Sequence, residues 1–287
     1  MTELFSQKKR SWVAMLNLAL FCALCVLGLS ACSGDDDDED SDDDIIFTQD
    51  ACSAIGLKIA NGTACTLGDT PAASPIVRLS IITAGGGLGT CTGTVIDSNI
   101  VLTAAHCFMD GFVGVQVDTF TGSFGVNQVV VHPQFDASDY ELGGVLHNDA
   151  ALVFTDQGMG VATAPLLYSR APILGEEAIV AGFGETFPGS DTGQIYAGNA
   201  VVSGLTTQHV VIDYTREQSH PCAGDSGGPL LLNVGGAQTI SGIVSQSDPS
   251  VEIDNICRPG DETLYTNVQD PAIFGFIQQY APNASVL

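Results

Sequence analysis

The sequence predicts an all-β domain of antiparallel strands, arranged as a sandwich or a barrel, that ends in one helix. Short runs of alternating apolar residues recur along the chain, as in PIVRLSIITAGG, VNQVVVHP, EEAIVAGFG and ISGIVSQS, and Gly, Asp, Ser and Pro separate them. No helical pattern lies between these runs, and strands at this spacing are typical of antiparallel all-β folds. The chain from residue 59 to residue 287 is long enough for a single domain with two packed cores.

The helix is predicted near the C-terminus, in DPAIFGFIQQYA. Asp270 followed by Pro271 is typical of a helix start, with a capping side chain and a proline in the first turn. A helical period connects the apolar residues of this segment, Ile273, Phe274, Phe276, Ile277 and Tyr280.

Residues 1–31 are predicted to be an export signal. MTELFSQKKR is basic, WVAMLNLALFCALCVLGL is apolar, and small residues follow in LSAC. LSAC resembles the bacterial lipoprotein box, whose cysteine, here Cys32, is lipidated and becomes the N-terminus. The resemblance implies an exported bacterial lipoprotein on the outer membrane or cell surface, because Ser33 stands where inner-membrane retention signals carry Asp. An ordinary signal peptide with a chance cysteine and a retained membrane helix are the alternatives.

Residues 32–50 are predicted to be an acidic, disordered tether. SGDDDDEDSDDD has no counter-charge and cannot bury apolar surface, so it should remain solvated and extended. A calcium-binding tract is the alternative, although the run lacks the glycine-punctuated spacing of a folded calcium loop.

The charge of the chain excludes some partners. It carries 33 acidic and 8 basic residues, a net charge of −25. Only four basic residues follow residue 59: Arg78, Arg170, Arg216 and Arg258. A surface with so few positive charges argues against nucleic acid and anionic lipid as partners. Outside the predicted export signal the cysteines form no CxxC pair and the histidines form no cluster with zinc spacing, so no metal and no cofactor is predicted.

Three short segments carry the residue types that serine chemistry requires. LTAAHC contains His106, HNDAALV contains Asp149 and CAGDSGGPL contains Ser226, each beside an apolar run. Alone, they have ordinary structural interpretations as a core histidine, a turn aspartate and a glycine-rich β-turn. Acyl transfer from a serine requires a base, a partner that orients the base, and backbone N–H donors for the developing oxyanion. Glycines around Ser226 allow the sharp turn that exposes such N–H groups.

Together, and in this order, the three segments resemble the trypsin/chymotrypsin family of serine proteases. The resemblance continues in CTGTVIDSNIVLTAAHC, in VVVHPQFD and in LYTNV with the helix after it, and covers residues 59 to about 280. It implies two packed antiparallel six-stranded β-barrels of the chymotrypsin-like kind with a C-terminal helix. The serine protease domain is therefore expected over residues 59–287.

The resemblance also implies a role for each site residue. Ser226 is expected to be the nucleophile, His106 the general base and acid, and Asp149 the partner that orients His106. The N–H groups of Gly224 and Ser226 are expected to form the oxyanion hole. Ser245 is expected to hydrogen-bond Asp149 and to offer its backbone to the substrate.

Six cysteines lie outside the signal and the lipidation position. An even number in an exported chain indicates three disulfides, here among Cys52, Cys65, Cys91, Cys107, Cys222 and Cys257. The family resemblance implies that Cys91 pairs with Cys107, and that Cys222 pairs with Cys257. Cys52 and Cys65 then lack another partner and are predicted to bond to each other.

LKIANGTAC indicates a zymogen. Proenzymes of the family are cut after a basic residue, which here means cleavage between Lys58 and Ile59, with residues 51–58 as the propeptide segment. The resemblance implies that the new Ile59 ammonium pairs with Asp225. A Cys52–Cys65 disulfide would keep the cut domain tied to its tether. The alternative is that Lys58 is an ordinary linker residue.

His220 decides what the specificity pocket is expected to accept. It stands six residues before the nucleophile, where the trypsin-type members carry Asp, so a basic P1 side chain would lack its counter-charge. Thr263 falls where many members have glycine, and Ser245, Gln246 and Ser247 are expected to form a wall. A small or aliphatic P1 residue and an acidic P1 residue held by His220 and Ser247 both remain open, as does a His220 that merely packs beside the next proline.

The sequence therefore predicts a membrane-anchored serine endopeptidase that acts on proteins or peptides through an acyl-enzyme. Since its pocket does not match Lys58, another protease is expected to activate it. Two alternatives come from other classes of function: a catalytically silent binding module on the same fold, and a dormant zymogen that serves as an adhesin. Silent relatives typically lose a triad residue, and none is missing here.

Overall fold

The structure, a computed structural model, describes residues 74–138, 140–186, 192–214, 218–247 and 260–287. These residues form twelve strands that close into two antiparallel barrels of six strands each. The fold predicted from the family resemblance is thereby confirmed. Of the two arrangements that the apolar pattern alone left open, the barrel is correct, because each sheet closes on itself and leaves no unpaired edge.

The first barrel consists of β1 (Ile76–Thr83), β2 (Leu88–Asp97), β3 (Ile100–Thr103), β4 (Phe112–Thr119), β5 (Gly122–Val131) and β6 (Ala151–Thr155). Its strands follow one another around the barrel in the order β1-β2-β3-β6-β5-β4. Two short 3-10 helices lie in its connections, at His106–Phe108 and Tyr140–Leu142.

The second barrel consists of β7 (Glu177–Gly182), β8 (Tyr196–Leu205), β9 (His209–Asp213), β10 (Pro229–Val234), β11 (Ala237–Ser247) and β12 (Glu262–Asn267). Its order is β10-β11-β12-β9-β8-β7, the same connectivity as in the first barrel. A single α-helix follows β12 in the described part of the chain, α1 (Pro271–Tyr280).

Strands that lie between the two barrels are buried on both faces. In β3, all four residues of IVLT are buried. Val101 points into the core of the first barrel, whereas Ile100 and Leu102 belong to a cluster that continues into the second barrel. Burial on both faces explains why this strand is a continuous apolar run rather than an alternating one. The barrels therefore pack through the strands that lead into the site.

The helix α1 begins where the sequence predicts it. The Asp270 side chain accepts a hydrogen bond from the N–H of Ala272 at 2.8 Å, and Pro271 occupies the first turn. Ile273, Phe276 and Ile277 are buried, while the other two apolar residues of the predicted stripe lie at its edge. No helix among the described residues is long and apolar enough to cross a membrane.

Candidate active site

The ends of three strands bring His106, Asp149 and Ser226 to the junction of the barrels. His106 follows β3 on a 3-10 helix, and Asp149 lies two residues before β6. Thr103 of β3 pairs with Ala151 of β6, so both side chains lie at the same end of the first barrel. Ser226 comes from the second barrel, three residues before β10.

His106 and Asp149 are joined by two hydrogen bonds. His106 Nδ1 lies 2.7 Å from Asp149 Oδ2, and the backbone N–H of His106 donates to Asp149 Oδ1 at 2.8 Å. Ser245 donates to Asp149 Oδ2 at 2.6 Å from 96 residues further along the chain. The Asp149 carboxylate is fully buried and accepts all three bonds. An Nδ1–H held by a carboxylate leaves Nε2 as the free proton acceptor of the ring.

The charge of Asp149 sets the protonation behaviour of the pair. Burial alone would lower the pKa of His106, but the charge of Asp149 and its hydrogen bond raise that pKa above 6.5. Burial would likewise raise the pKa of Asp149, but His106 and the hydrogen bonds from Ser245 and the backbone lower it. The pair is therefore a buried carboxylate beside an imidazole whose protonated form it stabilises.

We expect the imidazole of His106 to titrate above 6.5 in an NMR titration of the folded protein. In Asp149→Asn its pKa should fall below 6.5, because burial remains and the charge is lost. Because folding raises the pKa of His106, the pair stabilises the folded protein fully below about pH 6.5, the ordinary pKa of histidine. That contribution is lost as the pH rises through the pKa of His106 in the folded state.

His132 serves as an internal control in the same spectra. Burial lowers its pKa from 6.5, against the effects of the Ala272 carbonyl and Asp270. A His106 that titrates at or below 6.5 in the wild-type protein would contradict the coupling to Asp149.

The backbone at Asn148 is in the left-handed region and aims Asp149 inward. Its φ is 52°, and it is the one non-glycine residue with positive φ in the described part of the chain. Asparagine tolerates this conformation better than most residues. Its side-chain amide donates to the Gln134 carbonyl at 2.9 Å, which fixes the turn that precedes β6.

The nucleophile loop, residues 222–228, exposes two backbone donors. Within the described residues, the N–H groups of Gly224 and Ser226 donate no hydrogen bond. Gly224 has a φ of 98°, a conformation in which a side chain would be strained. At Gly227 a Cβ atom would lie 2.1 Å from Thr103 Oγ1 and 2.5 Å from the Thr92 carbonyl, so only glycine allows this close approach. Two N–H groups are thus free for an oxyanion.

Backbone contacts hold Ser226 against the first barrel, beside His106. The Ser226 carbonyl accepts from the N–H of Thr92 at 2.8 Å and lies 3.9 Å from Cys107 Sγ. Cys107 directly follows His106 and is bonded to Cys91, which confirms that predicted disulfide. Ser226 Oγ forms no hydrogen bond to His106 among the described residues, and such bonds are often long before substrate binds.

Asp225 belongs to the nucleophile loop and is buried. Its carboxylate accepts from the N–H groups of Gly184 at 2.7 Å and Cys222 at 2.9 Å. Burial raises its pKa to about 6, against the lowering effect of these two bonds. At neutral pH an ionised Asp225 therefore costs stability unless a cation neutralises it. The expected cation, the ammonium of Ile59, lies outside the described residues, as does Lys58.

His220, predicted to lie in the specificity pocket, is hydrogen-bonded to Thr263. His220 Nε2 lies 2.7 Å from Thr263 Oγ1, and both side chains are buried. The imidazole stacks on the ring of Tyr214, with centroids 4.9 Å apart. Burial lowers the pKa of His220 to about 4, against smaller raising effects of Pro221 and Asp213. His220 is therefore neutral at physiological pH, and it is more than packing beside a proline.

A carboxyl group that sequence reasoning missed lies at the same pocket. Asp261 is fully buried, its Oδ2 atom accepts from Ser247 Oγ at 3.2 Å, and it lies 4.0 Å from His220 Nδ1. Strand alternation could have revealed it, because a residue two positions before Thr263 lies on the same face of an extended chain. Ser247, predicted as a donor to an acidic substrate, already donates to this carboxyl.

Gln246, which was predicted to form part of the pocket wall, is hydrogen-bonded to the segment that precedes Asp149. Its side-chain oxygen accepts from the N–H of Leu146 at 2.5 Å, and its amide donates to the carbonyls of Gly144 at 3.4 Å and Ser247 at 3.2 Å. These bonds tie the segment before Asp149 to β11. Sequence reasoning did not anticipate this role.

Several predicted residues lie outside the described part of the chain: Cys32, Cys52, Cys65 and Cys257. Cys222 is disulfide-bonded, and its pairing with Cys257 stays a prediction. Among the residues that the structure describes, no group of three or more His, Cys, Asp or Glu side chains is arranged to hold a metal ion.

Comparisons with known proteins identify a matching family, similar sequences and a similar solved structure. The model of the Trypsin family matches residues 59–270. Serine protease 56 of Mus musculus is 29% identical over 227 residues, which are 67% of this chain and 34% of that protein. Chymase of Rattus norvegicus is 27% identical over 249 residues, 78% of this chain and 88% of that protein. The solved structure of HL collagenase superimposes with a TM-score of 0.59 at 23% identity, covering 72% of this chain and 93% of the collagenase.

For Serine protease 56 the match covers one part of a longer protein. The chain spans about a third of the length of Serine protease 56 in both Mus musculus and Homo sapiens, 34% and 37%. The family model, however, covers well over half of this chain, from the start of the predicted protease domain to the cap of α1. The chain belongs to the trypsin family.

Proposed function

We propose that the protein is a serine endopeptidase that hydrolyses peptide bonds of proteins or peptides through an acyl-enzyme. Two features of the site carry this proposal. His106, Asp149 and Ser245 form a chain of hydrogen bonds. In the nucleophile loop, the N–H groups of Gly224 and Ser226 donate no hydrogen bond within the described residues. The family, rather than any one relative, supports the reaction class.

The mechanism follows from the positions of these groups. Ser226 Oγ attacks the scissile carbonyl while Nε2 of His106 accepts its proton. The buried Asp149 stabilises the imidazolium that forms, which is the effect already visible in the raised pKa of His106. The N–H groups of Gly224 and Ser226 receive the oxyanion. His106 then returns the proton to the leaving amine, and water hydrolyses the acyl-enzyme by the same steps.

The test compares the full-length chain before and after cleavage at the Lys58–Ile59 bond. Lys8 and Lys9 lie in the predicted signal, and Lys58 is the only lysine after them. A lysine-specific endopeptidase therefore cuts the rest of the chain only at the Lys58–Ile59 bond. Cut protein should cleave a diverse peptide mixture and react with a fluorophosphonate at Ser226. Uncut protein should do neither, because the proposed Ile59 ammonium is absent from Asp225.

The other candidate functions predict different outcomes. If cut protein with Ile59 as its N-terminus neither labels nor cleaves, the catalytic proposal is contradicted in favour of a binding role. Equal labelling of cut and uncut protein would contradict the zymogen proposal while leaving the protease proposal in place.

We infer that the pocket takes a small, uncharged P1 residue. Of the two preferences left open by the sequence, the acidic one loses its support, since His220 is neutral and the Asp261 carboxyl lies beside it. The hydrogen bond between His220 and Thr263 closes the space that a long side chain would need. Cleavage after Lys or Arg would contradict this inference and would indicate that Asp261 reaches the substrate.

Thr263→Gly should open the pocket to larger P1 residues such as Leu or Phe. Loss of the side chain vacates the space opposite His220, and kcat/KM for those residues should rise about 10-fold or more relative to Ala. Thr266→Ser, on the opposite face of the same strand, is the control and should leave the P1 profile unchanged. An unchanged profile in Thr263→Gly would place the restriction elsewhere.

We infer, finally, that the protease is a bacterial lipoprotein tethered through Cys32. LSAC and the acidic run after it support this inference. Cys32→Ala should move the protein from the membrane fraction to the soluble fraction.

After cleavage at Lys58, the domain should leave the membrane only when a reductant opens the proposed Cys52–Cys65 disulfide. Release without reductant would contradict that pairing.

A further inference from the structure

Thr92 is a fully buried threonine of the first barrel that reaches into the second. It lies on β2, directly after the disulfide-bonded Cys91, and none of its surface is exposed. Both backbone groups of Thr92 form hydrogen bonds of 2.8 Å. Its N–H donates to the Ser226 carbonyl, and its own carbonyl accepts from Thr103 Oγ1.

The hydroxyl group of Thr92 connects two segments of the second barrel. It donates to the Gly224 carbonyl at 3.0 Å and accepts from the N–H of Phe183 at 3.0 Å. Phe183 directly follows β7, so one side chain joins the nucleophile loop to the end of that strand. Both the donor and the acceptor capacity of the hydroxyl are thereby used.

Three consecutive residues after β7 support the nucleophile loop, two of them directly and one through Thr92. The N–H of Phe183 donates to Thr92 Oγ1, that of Gly184 to Asp225 Oδ1 at 2.7 Å, and that of Glu185 to the Ala223 carbonyl at 2.8 Å. In a trans peptide the C=O and N–H point in opposite directions. Because the Ala223 carbonyl points at Glu185, the Gly224 N–H of the same peptide points away from β7.

The next peptide carries the Gly224 carbonyl, which accepts from the Thr92 hydroxyl group at 3.0 Å, and the Asp225 N–H, which donates to the Cys222 carbonyl at 3.0 Å. Glycine has the most freedom of any residue to rotate its flanking peptides. With its φ of 98°, Gly224 depends on contacts at both peptides to keep its N–H in one direction. The first peptide is held by the bond from Glu185 to Ala223. The second is held by a bond within the loop, from Asp225 to Cys222, and by one from outside the loop, from Thr92 to Gly224.

We propose that Thr92 is a positioning residue for the oxyanion hole: its hydroxyl group fixes the Gly224 peptide and thereby aims the Gly224 N–H at the developing oxyanion. The proposal rests on the proposed endopeptidase function. Thr92 lies in the first barrel, whereas Gly224, whose N–H it positions, lies in the second. On this proposal the packing of the two barrels contributes to stabilising the transition state.

Thr92→Val tests the hydroxyl group at nearly constant shape. The oxyanion forms only along the reaction path, so a misdirected donor should lower kcat about 10-fold and leave KM within about twofold. Inhibition by a peptide boronic acid, which mimics the tetrahedral intermediate, should weaken by a similar factor. Thr92→Ser keeps the hydroxyl group and should retain most of the wild-type kcat.

Thr94→Val is the matched control. Thr94 lies two residues further along β2, is 1% exposed, and has a hydroxyl group with no hydrogen-bond partner among the described residues. This variant should keep the wild-type kcat, because it removes no bond to the nucleophile loop. If Thr92→Val does not fold, a comparison of Thr92→Ser with Thr92→Ala isolates the hydroxyl group with smaller side chains.

The outcomes separate this inference from the function on which it rests. A wild-type protein, cut at Lys58, that neither cleaves peptides nor reacts with a fluorophosphonate would overturn both. An active wild type with unchanged kcat and boronate inhibition in Thr92→Val would overturn the positioning role alone. Equal losses in Thr92→Val and Thr94→Val would also overturn it, because they would reflect packing of β2.

Discussion

Ser226→Ala should reduce peptide hydrolysis by about 10⁴-fold or more while the protein remains folded; this magnitude is borrowed from other serine proteases. Without the Oγ atom no acyl-enzyme can form, and the remaining rate depends on the two N–H donors and on substrate binding. Fluorophosphonate labelling of the cut protein should disappear. Because Ser226 Oγ makes no hydrogen bond within the described residues, the free energy of unfolding should change by no more than about 0.5 kcal/mol.

Ser98→Ala is the control for the loss of a serine hydroxyl group. Ser98 is exposed in the turn between β2 and β3, far along the chain from the nucleophile loop. This variant should label and cleave as the wild type does. If Ser226→Ala retained activity, a different nucleophile would be required and the assignment of the site would be wrong.

Asp149→Asn should reduce kcat by about 10⁴-fold, a magnitude that again comes from the serine protease triad. The buried carboxylate accepts hydrogen bonds from His106 Nδ1, from the backbone N–H of His106 and from Ser245. An amide supplies one acceptor oxygen in place of two and no charge, so the imidazole loses both its fixed tautomer and its electrostatic partner. The unpaired groups should also lower the stability by about 1–3 kcal/mol.

Ser245→Ala separates the charge of Asp149 from its hydrogen bonding. This variant removes one of three bonds and leaves the carboxylate in place, so we expect only about a tenfold loss of kcat. Steady-state kinetics of the two variants, with thermal unfolding as a measure of folding, provide the comparison. Similar losses in both variants would show that hydrogen bonding, rather than charge, dominates the role of Asp149.

Local pattern in the sequence was sufficient for the strands and the helix of this fold. The period of two in β1, the continuous apolar run in β3 and the cap Asp270-Pro271 are each decided by neighbouring residues. Closure into two barrels was not readable from these patterns. It followed from the resemblance of complete segments to a known family.

The residues of the candidate active site could also be recognised from short stretches of the sequence. LTAAHC, HNDAALV and CAGDSGGPL each combine a reactive side chain with the local backbone that it needs. At Gly227, for example, the close approach to Thr103 allows no side chain at all. Such requirements leave a short, recognisable string in the sequence.

The supporting contacts were decided by tertiary structure. Asp261 is separated from His220 by 41 positions, Thr92 from Gly224 by 132, and Ser245 from Asp149 by 96. A buried threonine or aspartate has no local pattern that names its partner, because the hydrogen bond depends on how two distant strands pack. Sequence therefore determined the fold class and the reactive groups of this chain. Only the packing of the two barrels determined which buried polar groups close the pocket and which hold the nucleophile loop, since those groups acquire partners when the strands come together.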